Sequence, residues 1–154
     1  MPATSRRQTA CASFPREYGD FMSKTPAAVK RLKNFLMARG MSLVSGEGKG
    51  VDKADVAQYS DGQLAVRVEF DRGDWMIWVA DAIDHPSTWY DPAVLREALG
   101  QAGSDSPSLE EDVTILQSNW DAIRSLFRSE RREETHDRLD TLRKQRVHRL
   151  FPGW

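Results

Sequence analysis

Four of the fourteen aspartates of this 154-residue chain, its three histidines and its one cysteine are the residues first to be weighed for chemistry. Asp71, Asp74, Asp81 and Asp84 are closely spaced, and paired carboxylates can act as general acid and base. Turn chemistry accounts for them as well. Asp71 and Asp74 bracket Arg72-Gly73, and Asp81 and Asp84 leave the end of an apolar run. His85 falls in a loop-like stretch, and His136 and His148 are about 3.3 helical turns apart, too far round for joint metal ligation. No Cys-Cys or His-Glu-x-x-His spacing occurs, which excludes the common zinc patterns. Gly46, Gly48 and Gly50 lack the Gly-Lys-Ser/Thr ending of a phosphate loop. The sequence therefore spells no catalytic set, no metal site and no cofactor site. A binding protein is expected, with a small enzyme using Asp71 and Asp74 as the catalytic alternative.

Binding needs anchors and a field, and both are visible. Trp75, Trp78, Trp89 and Tyr90 form an aromatic group, and such side chains anchor interfaces or stack on bases. Trp75 is expected in the core. Trp78 and Trp89 stand between core and interface, because the apolar run around them needs cover on both faces. The formal net charge is −1, but residues 41–112 carry fifteen acids against five bases, a net of −10, leaving +9 for the flanks. An acidic, Trp-containing face would attract a basic protein partner and speed its association. The same acids would repel nucleic acid, and the bases of the last helix, interleaved with acids, match the helix dipole. The expected partner-binding residues are Asp71, Asp74, Trp78, Asp81, Asp84, Trp89 and Tyr90.

The elements that must position these residues are legible as an α+β pattern. Thr25 and Pro26 mark a helix start, Val29, Leu32, Phe35 and Leu36 recur on one face, and Gly40 supplies a left-handed exit. The expected helix is 26–39. The glycines after Leu43-Val44 are expected to break the chain as a hairpin connection, and 54–60 reads as a strand. In 63–70, Leu64, Val66, Val68 and Phe70 alternate with Ala65, Arg67 and Glu69, the two-residue period of a strand with one wet face. Residues 75–80 are apolar on both faces and are expected to be the most buried strand. Two hairpins in series make an antiparallel meander of three to four strands. Asp91-Pro92 opens a short helix closed by Gly100. Ser108 and Glu111 have capping-box spacing ahead of Leu109, Val113, Leu116, Trp120, Ile123 and Phe127, a seam at steps of four and three. Ser129 is expected to cap a last helix reaching about Leu150, the two forming an antiparallel helical hairpin on the sheet.

Residues 1–24 lack periodicity and read as a disordered leader, with 25–153 as one domain. Met22 is either the initiator or part of a genuine tail. No apolar run is long enough to span a bilayer, and Arg6-Arg7 is not followed by the apolar region of an export signal. The lone Cys11 cannot form an internal disulfide, which favours a reducing, cytoplasmic setting. Oligomeric state is left open.

Several short motifs carry a resemblance. Phe70-Asp71-Arg72-Gly73-Asp74-Trp75, Trp89-Tyr90-Asp91, Leu95-Arg96, Asn119-Trp120 and Arg149-Leu150-Phe151-Pro152 resemble small bacterial proteins associated with immunity in polymorphic toxin systems. The likeness covers about residues 60–153, and residues 1–24 have no counterpart. It implies a cytoplasmic, non-enzymatic inhibitor that blocks a toxin. A structural or regulatory interaction domain is the competing expectation.

Overall fold

The computed structural model describes residues 25–47, 55–83 and 88–154. The expected leader 1–24, with Met22 and Cys11, lies outside the described residues, as do Gly48, Gly50, Asp84 and His85. Among the described residues the element order is α1 (Ala27–Ala38), β1 (Ser42–Glu47), β2 (Asp55–Ser60), β3 (Leu64–Asp71), β4 (Asp74–Asp81), α2 (Pro92–Ala98), α3 (Leu109–Leu126) and, after a 3-10 turn at Ser129–Arg131, α4 (Arg132–Leu150). This is the α+β class, with an N-terminal helix, an antiparallel meander β1-β2-β3-β4 and helices after it. No helix among the described residues is long and apolar enough to cross a membrane.

Local chemistry explains most boundaries. Pro26 is extended, with ψ of 151°, so it sits at the cap position and α1 begins one residue later than expected. Gly40, at φ 84°, takes the left-handed exit that a residue with a Cβ enters at a cost. Asp91 caps α2 by accepting from the Val94 N–H at 3.1 Å, with Pro92 in the first turn. Ser108 caps α3 through the Glu111 N–H at 3.2 Å, and Glu110, Glu111 and Asp112 stand in the first turn where the dipole favours acids. Inside α3 the backbone leaves helical geometry at Asn119, whose side-chain amide donates to the Ile115 carbonyl at 2.9 Å. Gln101 Nε2 holds the other end of that amide at 2.7 Å. The kink therefore leaves the Ile115 carbonyl satisfied.

Two expectations about the sheet are corrected. β1 runs on through Gly46, which pairs with Ala57, so the chain does not break after Leu43-Val44. A register shift between Leu43 and Ser45 absorbs the extra residue instead. β4 is not buried on both faces along its whole length: Ile77, Val79 and Asp81 on one face and Ala80 on the other are buried, while Trp75 of the first face and Met76 and Trp78 of the second are half-buried. The reason is that the helices stack on one side of the sheet. The core there joins Leu32 and Leu36 of α1, Leu64, Val66 and Val68 of β3, Ile77 and Val79 of β4, Val94 and Leu95 of α2, and Leu139 of α4. The α3 seam enters it as expected, with Val113, Leu116, Trp120, Ile123 and Phe127 all buried. Trp120 sits mid-seam, its ring edge-on to Phe35 at 5.6 Å. Trp75 packs at the core margin, 4.9 Å from the Phe70 ring. Short α2 contacts both α3 and α4. Only Thr135 and Leu139 of α4 are buried, so apolar packing alone does not hold that helix.

Candidate functional site

The β3–β4 hairpin turns at Arg72-Gly73, with φ of 51° and 94°. Two successive positive φ values are those of a type I′ turn, whose twist matches the strands it joins. That turn sets the register: Asp71 faces Asp74, Glu69 faces Met76, Arg67 faces Trp78 and Ala65 faces Ala80. Side chains alternate along a strand. All eight residues therefore point to one face, opposite to Leu64, Val66, Val68, Ile77 and Val79 beneath the helices. β2 adds Val56, Gln58 and Ser60, paired with Glu69, Arg67 and Ala65.

Trp89 reaches this open face from outside the sheet. Tyr90 exchanges both backbone hydrogen bonds with Val79 at 2.8 Å, a one-residue extension alongside β4. Its ring enters the core, fully buried, so the preceding side chain is turned to the opposite face. There the Arg67 guanidinium carbon lies 4.2 Å from the Trp89 ring centroid, an attraction between cation and ring face. Arg67 Nε is buried with no hydrogen-bond acceptor, and among the described residues Arg67 has no acid partner. Half-buried Met76, Trp78 and Trp89 thus surround an arginine held by stacking. Glu69, Asp71 and exposed Asp74 line the turn end of the same face, with Arg72 nearby at 3.9 Å from Asp71.

Of the seven expected partner-binding residues, the structure brings together Asp71, Asp74, Trp78 and Trp89. Asp84 lies outside the described residues. Asp81 and Tyr90 are not on this face, and their expected exposure is corrected. Asp81 belongs to the buried parity of β4 and is only 3% exposed. It sits at the opposite end of the strand from Asp74, roughly 23 Å away at a rise of about 3.3 Å per residue. Its carboxylate is ion-paired with Arg132, whose Nε lies 2.5 Å away, and stands 3.3 Å from His136 Nε2. The Tyr90 hydroxyl donates to Asp140 Oδ1 at 3.1 Å and is 3.0 Å from His136 Nδ1. Burial, reinforced by the Asp140 carboxylate, pushes the Tyr90 phenol above its ordinary range. A phenol so shifted is a poor nucleophile. The chain Asp81–His136–Tyr90–Asp140 instead ties α4 to the sheet, supplying in polar contacts what α4 lacks in apolar ones.

The expected acidic field is also corrected in extent. Six of the fifteen acids of residues 41–112 are paired to bases from the flanks: Asp61 to Arg124, Asp81 to Arg132, Asp91 to Arg146, Glu97 and Asp105 to Arg149, and Glu110 to Arg31. Folding thus pairs part of the segregated charge, and on the open face the acids gather at the turn end. Asp112 stands apart. Its Oδ1 is buried without a partner, and burial, with Asp91 close by, pushes its carboxyl up to about 7.

Arg67 and Met76 were not among the expected site residues. The alternation in 63–70 already put Arg67 on the wet face, and a two-residue turn at Arg72-Gly73 would have set it opposite Trp78. No local signal brings Trp89 over it, since that contact depends on Tyr90 pairing with Val79. Compared with protein-family models, with curated proteins and with solved structures, the chain has no match.

Proposed function

We propose that this chain is a non-enzymatic protein-binding protein that engages a basic protein through the open face of its sheet, and that the partner is a toxin which it inhibits in the cytoplasm. One observation supports the reading above the rest. The open face gathers Met76, Trp78 and Trp89 beside Glu69, Asp71 and Asp74. Large, half-buried rings with few rotatable bonds are good anchors. An acidic row next to them steers a basic surface toward the anchors at long range and is screened by salt. The toxin assignment rests on the sequence motifs, of which Asp71-Arg72-Gly73-Asp74-Trp75 forms the turn at this end of the sheet and Trp89 supplies a ring.

The test is co-expression and co-purification with the product of the gene immediately upstream, followed by binding kinetics at two salt concentrations. Trp78→Ala is expected to raise the dissociation rate by about thirtyfold, as hot-spot truncations do. Joint Asp71→Asn and Asp74→Asn should slow association and flatten its salt dependence while leaving dissociation nearly unchanged. Glu133→Gln, exposed on α4, serves as the control and should change neither rate. Binding indifferent to all the open-face variants, or recovery of a nucleic acid or a small-molecule product in place of a basic protein, would overturn the proposal.

A further inference from the structure

On the helical side of the molecule a groove runs between α2, α3 and α4, away from the open sheet face and independent of what binds there. Its cavity is about 420 Å³, within the range of small-molecule sites. Leu99, Leu126 and Leu139 form its floor, and at its rim stand Arg131, at the end of the 3-10 turn, and Glu134 and Arg138, four residues apart on α4. The Leu126 carbonyl is already taken by the Thr135 hydroxyl, so the floor offers a ligand little besides apolar surface.

The rim carries the selectivity. Arg31, Arg124, Arg132, Arg143, Arg146 and Arg149 each hold an acid. Among the described residues Arg131 and Arg138 hold none, although both border the same cavity. With Glu134 between them the rim sums to one positive charge. That balance suits a single carboxylate, which a guanidinium can grip through two parallel hydrogen bonds. A free phosphate would leave the leucine floor unused, and an amine would meet like charge. We infer that this groove binds a small apolar carboxylate, its hydrocarbon part on Leu99, Leu126 and Leu139 and its carboxylate between Arg131 and Arg138.

The test titrates decanoate into the full chain, followed by amide NMR shifts, with decylamine as the charge-reversed control. Saturable binding with a dissociation constant on the order of 1 mM is expected for so few heavy atoms, with shifts centred on Leu99, Leu126 and Leu139. Arg131→Gln and Arg138→Gln should each weaken it about threefold to tenfold, and Glu134→Gln should tighten it about twofold to fivefold. All three side chains belong to exposed residues, so the variants should keep the wild-type melting temperature. The inference fails if decylamine binds as well as decanoate, if the shifts fall outside the groove, if the three charge variants leave the affinity unchanged, or if no saturation appears by about tenfold above the expected constant.

Discussion

On the helix-covered face of the sheet, Leu64, Val66, Val68, Ile77 and Val79 are buried. On the other face of the same two strands Ala65 and Ala80 are buried, but Arg67, Glu69, Met76 and Trp78, toward the turn, are only half covered. The polar groups differ accordingly. Beneath the helices Asp81 faces Arg132 and His136, and the Tyr90 hydroxyl faces His136 and Asp140. An isolated charge there would cost several kcal/mol in lost hydration. On the open face half-buried Arg67 stands without an acid, held against the Trp89 ring. The covered face is organised to be stable by itself, and the open face keeps rings and charges that a partner could still use.

The sharpest test of that difference lies in the covered side. Trp120→Ala is expected to cost about 3–5 kcal/mol in urea unfolding, because the ring is 2% exposed and braced by Phe35. A loss under about 1 kcal/mol would mean that the α3 seam does not carry the core. Next in size is Asp81→Asn, expected to cost about 3 kcal/mol by leaving Arg132 beside a neutral group where it had a carboxylate. If that change costs no more than an exposed aspartate would, the pairing rule for the covered face breaks.

Asp112 is the exception on the helical side, a buried carboxylate oxygen without a partner, and it gives a prediction with a sign. Its folded carboxyl is raised from 3.8 to about 7. It therefore contributes stability that is complete below about pH 4 and lost as pH rises through about 7. Asp112→Asn, neutral at every pH, should stabilise the protein by about 1–2 kcal/mol at pH 8, reduced from the full linkage value by partial solvent screening, and by nearly nothing at pH 4. Equal effects at both pH values would remove the electrostatic explanation. Smallest is the open-face pair. A double-mutant cycle of Arg67→Ala and Trp89→Ala should give a coupling of about 0.5–1 kcal/mol, as expected for a partly solvated cation over a ring. A coupling above about 2 kcal/mol would place the stack in the stability core and weaken the contrast between the faces.

Much of the fold was legible because its signals are local. The β3 alternation, the α3 seam with its Ser108 cap, and the Asp91-Pro92 start each depend on residues within a turn or two of one another, and each element stands where that chemistry puts it. Half of the candidate site was legible for the same reason: Asp71, Asp74 and Trp78 follow from a two-residue turn and a two-residue period. Trp89 was placed among the candidates as an aromatic, but its position over Arg67 follows from no neighbour in sequence.

What the sequence determined by itself, then, is the set of elements and the parity of residues along each strand, because backbone sterics, capping and side-chain alternation act over a few residues. Only the tertiary structure decided which parity the helices would cover, that Tyr90 would pair with Val79 and so bury its own ring while turning Trp89 outward, and that Arg31, Arg124, Arg132, Arg146 and Arg149 would fold back onto the acids of the middle segment. Those outcomes join residues well beyond the reach of one turn or one cap, the ion pairs tens of positions apart. Charge interactions fall off with distance in space rather than along the chain, so six of the fifteen acids in a −10 segment of the sequence come, once folded, to face arginines from the flanks.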